Sequence, residues 1–176
     1  AILSPSSGIL DSYDFMQKLL NIFLENEGIF AGSTPFINAE YSHNNSMWKV
    51  EIGGKDADII NAKVIINSAG LDSINLSKKK FPKSITPVSN PVKGAYLKYS
   101  GKPIVKHIIY PTFIPGIIKE RVDATPNIND ELRFGPSIEK TSSIEDFSVP
   151  SNLLDRFIPI IKKFLPSIDS SKIYID

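Results

Sequence analysis

The run Ala62-Lys63-Val64-Ile65-Ile66 breaks off into Asn67-Ser68-Ala69-Gly70, and no other stretch constrains the fold of this chain as much. Three β-branched residues in succession, without polar alternation, suit a strand covered on both faces. The small residues that follow let another backbone or a ligand come close, and Gly70 can take a positive φ that a Cβ would resist. In an open sheet, ligands commonly bind in the crevice beyond a strand's carboxyl end. Two readings follow: a buried strand with an ordinary turn, or a strand that ends at a site.

A chain of 176 residues can build one sizeable core or two small lobes. Its 41% hydrophobic content and 10 Phe make it globular rather than disordered. A formal net charge of +1 argues against a nucleic-acid partner, which normally selects a basic excess or stripe. Lys78-Lys79-Lys80 with Lys83, and Lys162-Lys163, read as solvated faces. The absence of Cys excludes disulfides, thiolate metal sites and a Cys nucleophile. No apolar run is long enough to span a bilayer and no signal-peptide pattern opens the chain, so the expectation is a soluble cytoplasmic protein. A first residue of Ala rather than Met suggests an excerpt of a longer chain.

In order along the chain, residues 1–10 read as a short strand and a turn at Pro5-Ser6-Ser7-Gly8. Asp11 or Ser12 can cap a helix whose apolar side carries Phe15, Met16, Leu19, Leu20, Ile22 and Phe23, with Gly28 as its stop. Turn signals at His43-Asn44-Asn45-Ser46 and Gly53-Gly54-Lys55-Asp56 bracket the alternating segment Met47–Ile52. They predict a three-stranded antiparallel meander that begins near Thr34-Pro35-Phe36 and resumes at Ala57. Residues 71–76 suit one or two helical turns, and the Lys run with three Pro marks a boundary between lobes over 1–83 and 84–176. Beyond it, Val92–Ser100, Lys106–Tyr110, Ile117–Val122 and Leu132–Phe134 read as strands of an antiparallel sheet. A last helix after Pro150-Ser151-Asn152 should kink or split at Pro159, and Ile173–Ile175 reads as a strand.

Few residues carry evident chemistry. His43 lies in a polar turn. His107, on a strand pattern shared with Val105 and Ile109, suits either a proton acceptor or a core histidine bound to a backbone carbonyl. Arg121, Arg133, Lys93 and Lys119 fall in or beside the predicted sheet, where two converging cations would clamp a carboxylate and isolated ones would face solvent. Metal-ligand spacing, a nucleophile elbow, GxGxxG and Walker patterns are all absent.

The order of segments carries more. Ser4-Pro5-Ser6-Ser7-Gly8-Ile9-Leu10-Asp11 before a helix, then the meander, then Val64–Gly70, resembles the FAD-dependent oxidoreductases of the D-amino acid oxidase superfamily. Lys93-Gly94-Ala95-Tyr96, His107-Ile108-Ile109-Tyr110-Pro111 and Arg133-Phe134-Gly135-Pro136 are similar to its L-2-hydroxyglutarate dehydrogenase (oxidase) branch.

The resemblance implies an α+β fold: a mixed, mainly antiparallel substrate-domain sheet with helices on one face, plus a partial FAD lobe of helix and meander. It implies FAD as cofactor, with Asn67, Ala69 and Gly70 near the flavin, and a 2-hydroxy acid such as L-2-hydroxyglutarate oxidised by hydride transfer. It places His107 and Tyr96 on the catalytic side and Lys93, Arg121 and Arg133 on the substrate. The family's Gly-rich dinucleotide turn, ribose-binding acidic residue and closing segment are not in this sequence. A family strand of the form Gly-Ile-His-x-Thr is replaced by Gly116-Ile117-Ile118-Lys119-Glu120-Arg121, without its histidine. The implied partners are therefore the small acid, a separate chain carrying the rest of the FAD domain, and a second copy through exposed apolar surface. The alternative is an inactive binding module or one half of a split flavoenzyme.

Overall fold

The computed structural model describes residues 2–80, 87–112 and 121–175. The predicted strand Ile117–Val122, apart from its last two residues, and the proposed boundary at residue 83 lie outside them. The chain divides into two compact units, residues 16–88 and residues 1–15 with 89–176.

The first of these units holds most of helix α1 (Ser12–Glu25) and an antiparallel meander, β1 (Phe36–Ser42), β2 (Met47–Ile52) and β3 (Asp58–Ala62), in that spatial order. The turn signals place both reversals as expected, with Ser46 and Gly54 in left-handed conformations. Tyr41 meets Trp48 across the β1–β2 ladder, ring edge to ring face at 5.2 Å. Gly53–Gly54 can pass close to the preceding loop because a Cβ on Gly54 would stand 2.6 Å from the Ser33 carbonyl. A 3₁₀ turn (Gly70–Asp72) then leads into α2 (Ser73–Lys80), which takes in the Lys run.

Helix α1 forms, with Asp11 Oδ1 accepting the backbone N–H groups of Tyr13 (2.9 Å) and Asp14 (3.0 Å). It ends where the Gly28 N–H donates to the Phe23 carbonyl at 2.9 Å. The left-handed residue there is Glu27, and Gly28 is small because a Cβ would strike the Phe23 ring. No residue of α1 is buried, so its periodicity produced a helix without a covered face.

Two expectations for short strands fail. Residues 2–10 carry only a turn at Pro5-Ser6. Val64–Ile66 is no buried strand either: it lacks a ladder and is 72, 38 and 82% exposed in order. β-Branched residues favour an extended backbone, but a strand also needs a neighbour to pair with. None among the described residues pairs with this run.

In the other unit the predicted strand Val92–Ser100 is two strands, β4 (Val92–Lys93) and β5 (Leu97–Tyr99), interrupted at Gly94-Ala95-Tyr96. β5 is central to a four-stranded antiparallel sheet in the order β6 (Asp123–Pro126), β7 (Leu132–Gly135), β5, β9 (Ile173–Ile175). β4 pairs with β8 (Glu139–Lys140). Lys106–Tyr110 is no strand but a bending segment tied to the sheet at one bridge, Ile109 to Ala124.

Helix α3 (Leu153–Phe164) covers one sheet face. Leu153, Phe157 and Ile161, spaced by four, are fully buried against Leu97, Val122, Leu132 and Phe134. α3 stays a single helix through Pro159, which is exposed, so it does not split there.

Candidate functional site

Two of the motifs singled out in the sequence are packed against each other. The Ser137 N–H donates to the Ala95 carbonyl at 2.9 Å, and the Ala95 N–H donates to the buried Ser137 hydroxyl at 3.1 Å. Gly94 allows this approach, since its Cβ would lie 2.9 Å from Pro136. Gly135 has φ +140°, and its Cβ would stand 2.9 Å from the Ala95 carbonyl oxygen and 3.0 Å from Tyr96 Cδ1. Only glycine fits there, on grounds of both conformation and space. Lys93-Gly94-Ala95-Tyr96 and Arg133-Phe134-Gly135-Pro136 are thus one structural feature, and it fixes where Tyr96 stands.

Tyr96 and Arg133 line one cavity of about 370 Å³. β7 alternates, burying Leu132 and Phe134 under α3 and turning Arg133 to the opposite face. Thr125, its register partner on β6, lines the same cavity. The β6–β7 turn forms the rim. It is held by Asn127 Oδ1, which accepts the N–H groups of Asn129 (2.9 Å) and Glu131 (2.8 Å). The opposite wall is Ile9–Ser12, where Asp11 serves as the α1 cap. A cation, a phenol, hydroxyls and amides around an apolar wall can bind a small carboxylate and hold its hydroxyl.

The other predicted site residues are not brought here. Lys93 Nζ donates to Asp146 Oδ2 at 2.7 Å and to the Ser148 hydroxyl at 2.6 Å, beside a smaller cavity of about 200 Å³ that Tyr96 also lines. The Lys93 ammonium first, then the Ser148 hydroxyl and backbone N–H, hold the Asp146 carboxyl well below the usual carboxylate range. Arg121 pairs with Asp123 at 3.1 Å and lies over the Tyr110 ring at 5.1 Å. His107 is exposed in a bend, and the strand face it was expected to share with Val105 and Ile109 does not exist. Lys119 lies outside the described residues.

Sequence reasoning missed Thr125, Asn127 and the Ile9–Ser12 wall. Alternation around Arg133 was visible, but the register that sets Thr125 opposite it is a long-range fact.

The Asn67–Gly70 turn is in the other unit, beside an apolar cavity of about 460 Å³. Asn67 Nδ2 donates to the Ser73 carbonyl (2.8 Å) and to the Ser77 hydroxyl (3.2 Å), and Asn67 Oδ1 accepts the Ala69 N–H at 3.3 Å. A Cβ on Gly70 would meet nothing within 4 Å. The turn has room beside it, but the Asn67 amide and the Ala69 N–H are already bonded within the turn and to the following helical segment. A dinucleotide pyrophosphate needs several convergent backbone donors at a helix N-terminus. The described residues do not fit that part of FAD.

Residues 1–174 match the family described as FAD dependent oxidoreductase (DAO). The chain belongs to this family of FAD-dependent oxidoreductases. It is also similar to "L-2-hydroxyglutarate dehydrogenase, mitochondrial" of Arabidopsis thaliana, at 26% identity over 96% of this chain and 42% of that protein. The chain thus spans less than half the length of the curated relative it matches. Among the described residues, no helix is long and apolar enough to cross a membrane.

Proposed function

We propose that this chain supplies the substrate-binding part of a flavoprotein that oxidises a 2-hydroxy acid such as L-2-hydroxyglutarate. The observation that carries the reading is the cavity in which Tyr96 and Arg133, from two separate motifs, meet the Ile9–Ser12 wall. FAD, when bound, would accept the hydride from the α-carbon. The work of this chain is to hold the acid: the Arg133 guanidinium takes a carboxylate, and the Tyr96 phenol and Thr125 hydroxyl are placed to orient the neighbouring polar groups. Lys93 acts through the Asp146–Ser148 loop next to Tyr96 rather than on the acid itself. The cradle for the FAD pyrophosphate belongs to polypeptide beyond these residues, on the same chain or a partner.

A second reading, a binding module or half of a split flavoenzyme without turnover of its own, is favoured by the Asn67 amide and the Ala69 N–H being engaged in bonds of their own. One pair of measurements separates the two. L-2-hydroxyglutarate should bind the chain, followed by the ring resonances of Tyr96, and Arg133→Ala should weaken binding at least tenfold. With the remainder of the Arabidopsis relative and FAD added, the same acid should bleach the flavin absorbance. Binding without bleaching supports the module. If no 2-hydroxy acid binds or bleaches, the oxidase reading fails.

A further inference from the structure

We propose that the carboxylate of Asp123 is the base that takes the hydroxyl proton of the 2-hydroxy acid; the inference rests on the substrate reading above. Turning the bond between the α-carbon and its hydroxyl oxygen into a ketone releases a hydride, with its electron pair, to the flavin, and a proton to a base. Neither a guanidinium nor a phenol is suited to accept that proton at neutral pH. Asp11, the carboxylate in the cavity wall, is committed through Oδ1 to the first turn of α1.

β6 alternates, burying Ala124 and Pro126, so that Asp123 and Thr125 share the opposite face. Arg133 of β7 stands on that face as well, in register with Thr125, and Gly135 is in register with Asp123. The two pairs form neighbouring rows about 7 Å apart along the strands. Arg133 takes the acid's carboxylate in the first row. In the second, glycine leaves the place beside Asp123 empty. Cross-strand partners lie about 5 Å apart at Cβ, and the Cβ position of Gly135 is 3.0 Å from Tyr96 Cδ1, so Asp123 and the Tyr96 ring flank the gap. An acid held on Arg133 extends its hydroxyl, one carbon further on, into this gap. A hydrogen bond of about 2.8 Å at each end is enough to bridge the step from row to row.

Asp123 is also held as a base should be. Its side chain is 15% exposed, Arg121 Nε donates to Oδ1 at 3.1 Å, and Oδ2 takes no hydrogen bond among the described residues. Arg121 is steadied in turn over the Tyr110 ring. Arg121 is therefore a positioning residue, serving the acid through Asp123.

Carbon-detected NMR of the full chain should show the Asp123 carboxyl resonance move when L-2-hydroxyglutarate binds and stay in place with glutarate, which keeps both carboxylates and lacks the hydroxyl. With the remainder of the Arabidopsis relative and FAD added, Asp123→Asn should slow flavin bleaching at saturating acid by about a hundredfold or more and weaken acid binding by less than about tenfold. Amide exchange at Leu132–Phe134 checks that the sheet is intact. Arg121→Ala should lose less than Asp123→Asn, and Arg121→Lys should restore part of that loss. Bleaching by Asp123→Asn within about tenfold of the wild type, or the same carboxyl shift with glutarate, overturns the proposal and leaves the oxidase reading standing. Binding of 2-hydroxy acids without bleaching, or no binding at all, sinks the oxidase reading and this proposal with it.

Discussion

Replacing Gly135 by Ala tests the claim that two sequence motifs form one packed feature. A side chain at φ +140° costs roughly 1–3 kcal/mol in backbone strain. The added Cβ would also stand 2.9 Å from the Ala95 carbonyl oxygen, a backbone atom whose N–H···O bond from Ser137 resists displacement. About 2–3 kcal/mol of destabilisation is expected, which corresponds to roughly 30- to 150-fold faster opening. The readout is amide exchange at Ala95, Leu97–Tyr99 and Leu132–Phe134, with urea denaturation by circular dichroism alongside. Trp48 lies in the other unit, and its fluorescence transition should stay where it is. Gly70→Ala is the comparison. At φ +56° with open space around the Cβ, it should cost only the left-handed penalty of about 1–2 kcal/mol, felt in the Trp48 transition instead. A loss under about 0.5 kcal/mol for Gly135→Ala, with exchange at Ala95 unchanged, would refute the argument.

Phe157→Ala removes a fully buried ring from the α3–sheet core and should cost about 3–5 kcal/mol by urea denaturation, again without moving the Trp48 transition. Asp11→Ala removes the α1 cap and should cost about 1 kcal/mol, read as faster exchange at Tyr13 and Asp14. The Asp146 carboxyl is depressed in the fold, so the stability it contributes is present above the ordinary carboxylate range and drains away as pH falls below it. Asp146→Asn should flatten that part of the acid profile, and carbon-detected titration of wild-type Asp146 should show it still ionised at about pH 3.

Much of the fold could be read directly because its signals are local. The turns at His43–Ser46 and Gly53–Asp56, the Asp11 cap and the four-residue spacing of Leu153, Phe157 and Ile161 each act within a few residues. The errors share one cause. Val64–Ile66 and Lys106–Tyr110 have apolar, β-branched character, yet a strand is a relation between segments, and composition does not say whether a partner is present. The site divides in the same way. Tyr96 and Arg133 belong to recognisable motifs and converge on one cavity. Lys93 is paired with Asp146, 53 residues away, and nothing near Lys93 in sequence announces that pairing.

Residues 16–88 bury only Ala39 and Val50 among their described apolar side chains, whereas the other unit closes α3 over a continuous core. Cooperativity in the chain is therefore lopsided. The meander would be expected to breathe and come apart on its own schedule while the sheet under α3 persists, so a single melting temperature would average two unlike events. A chain built this way keeps the cavity of Tyr96 and Arg133 on its durable part.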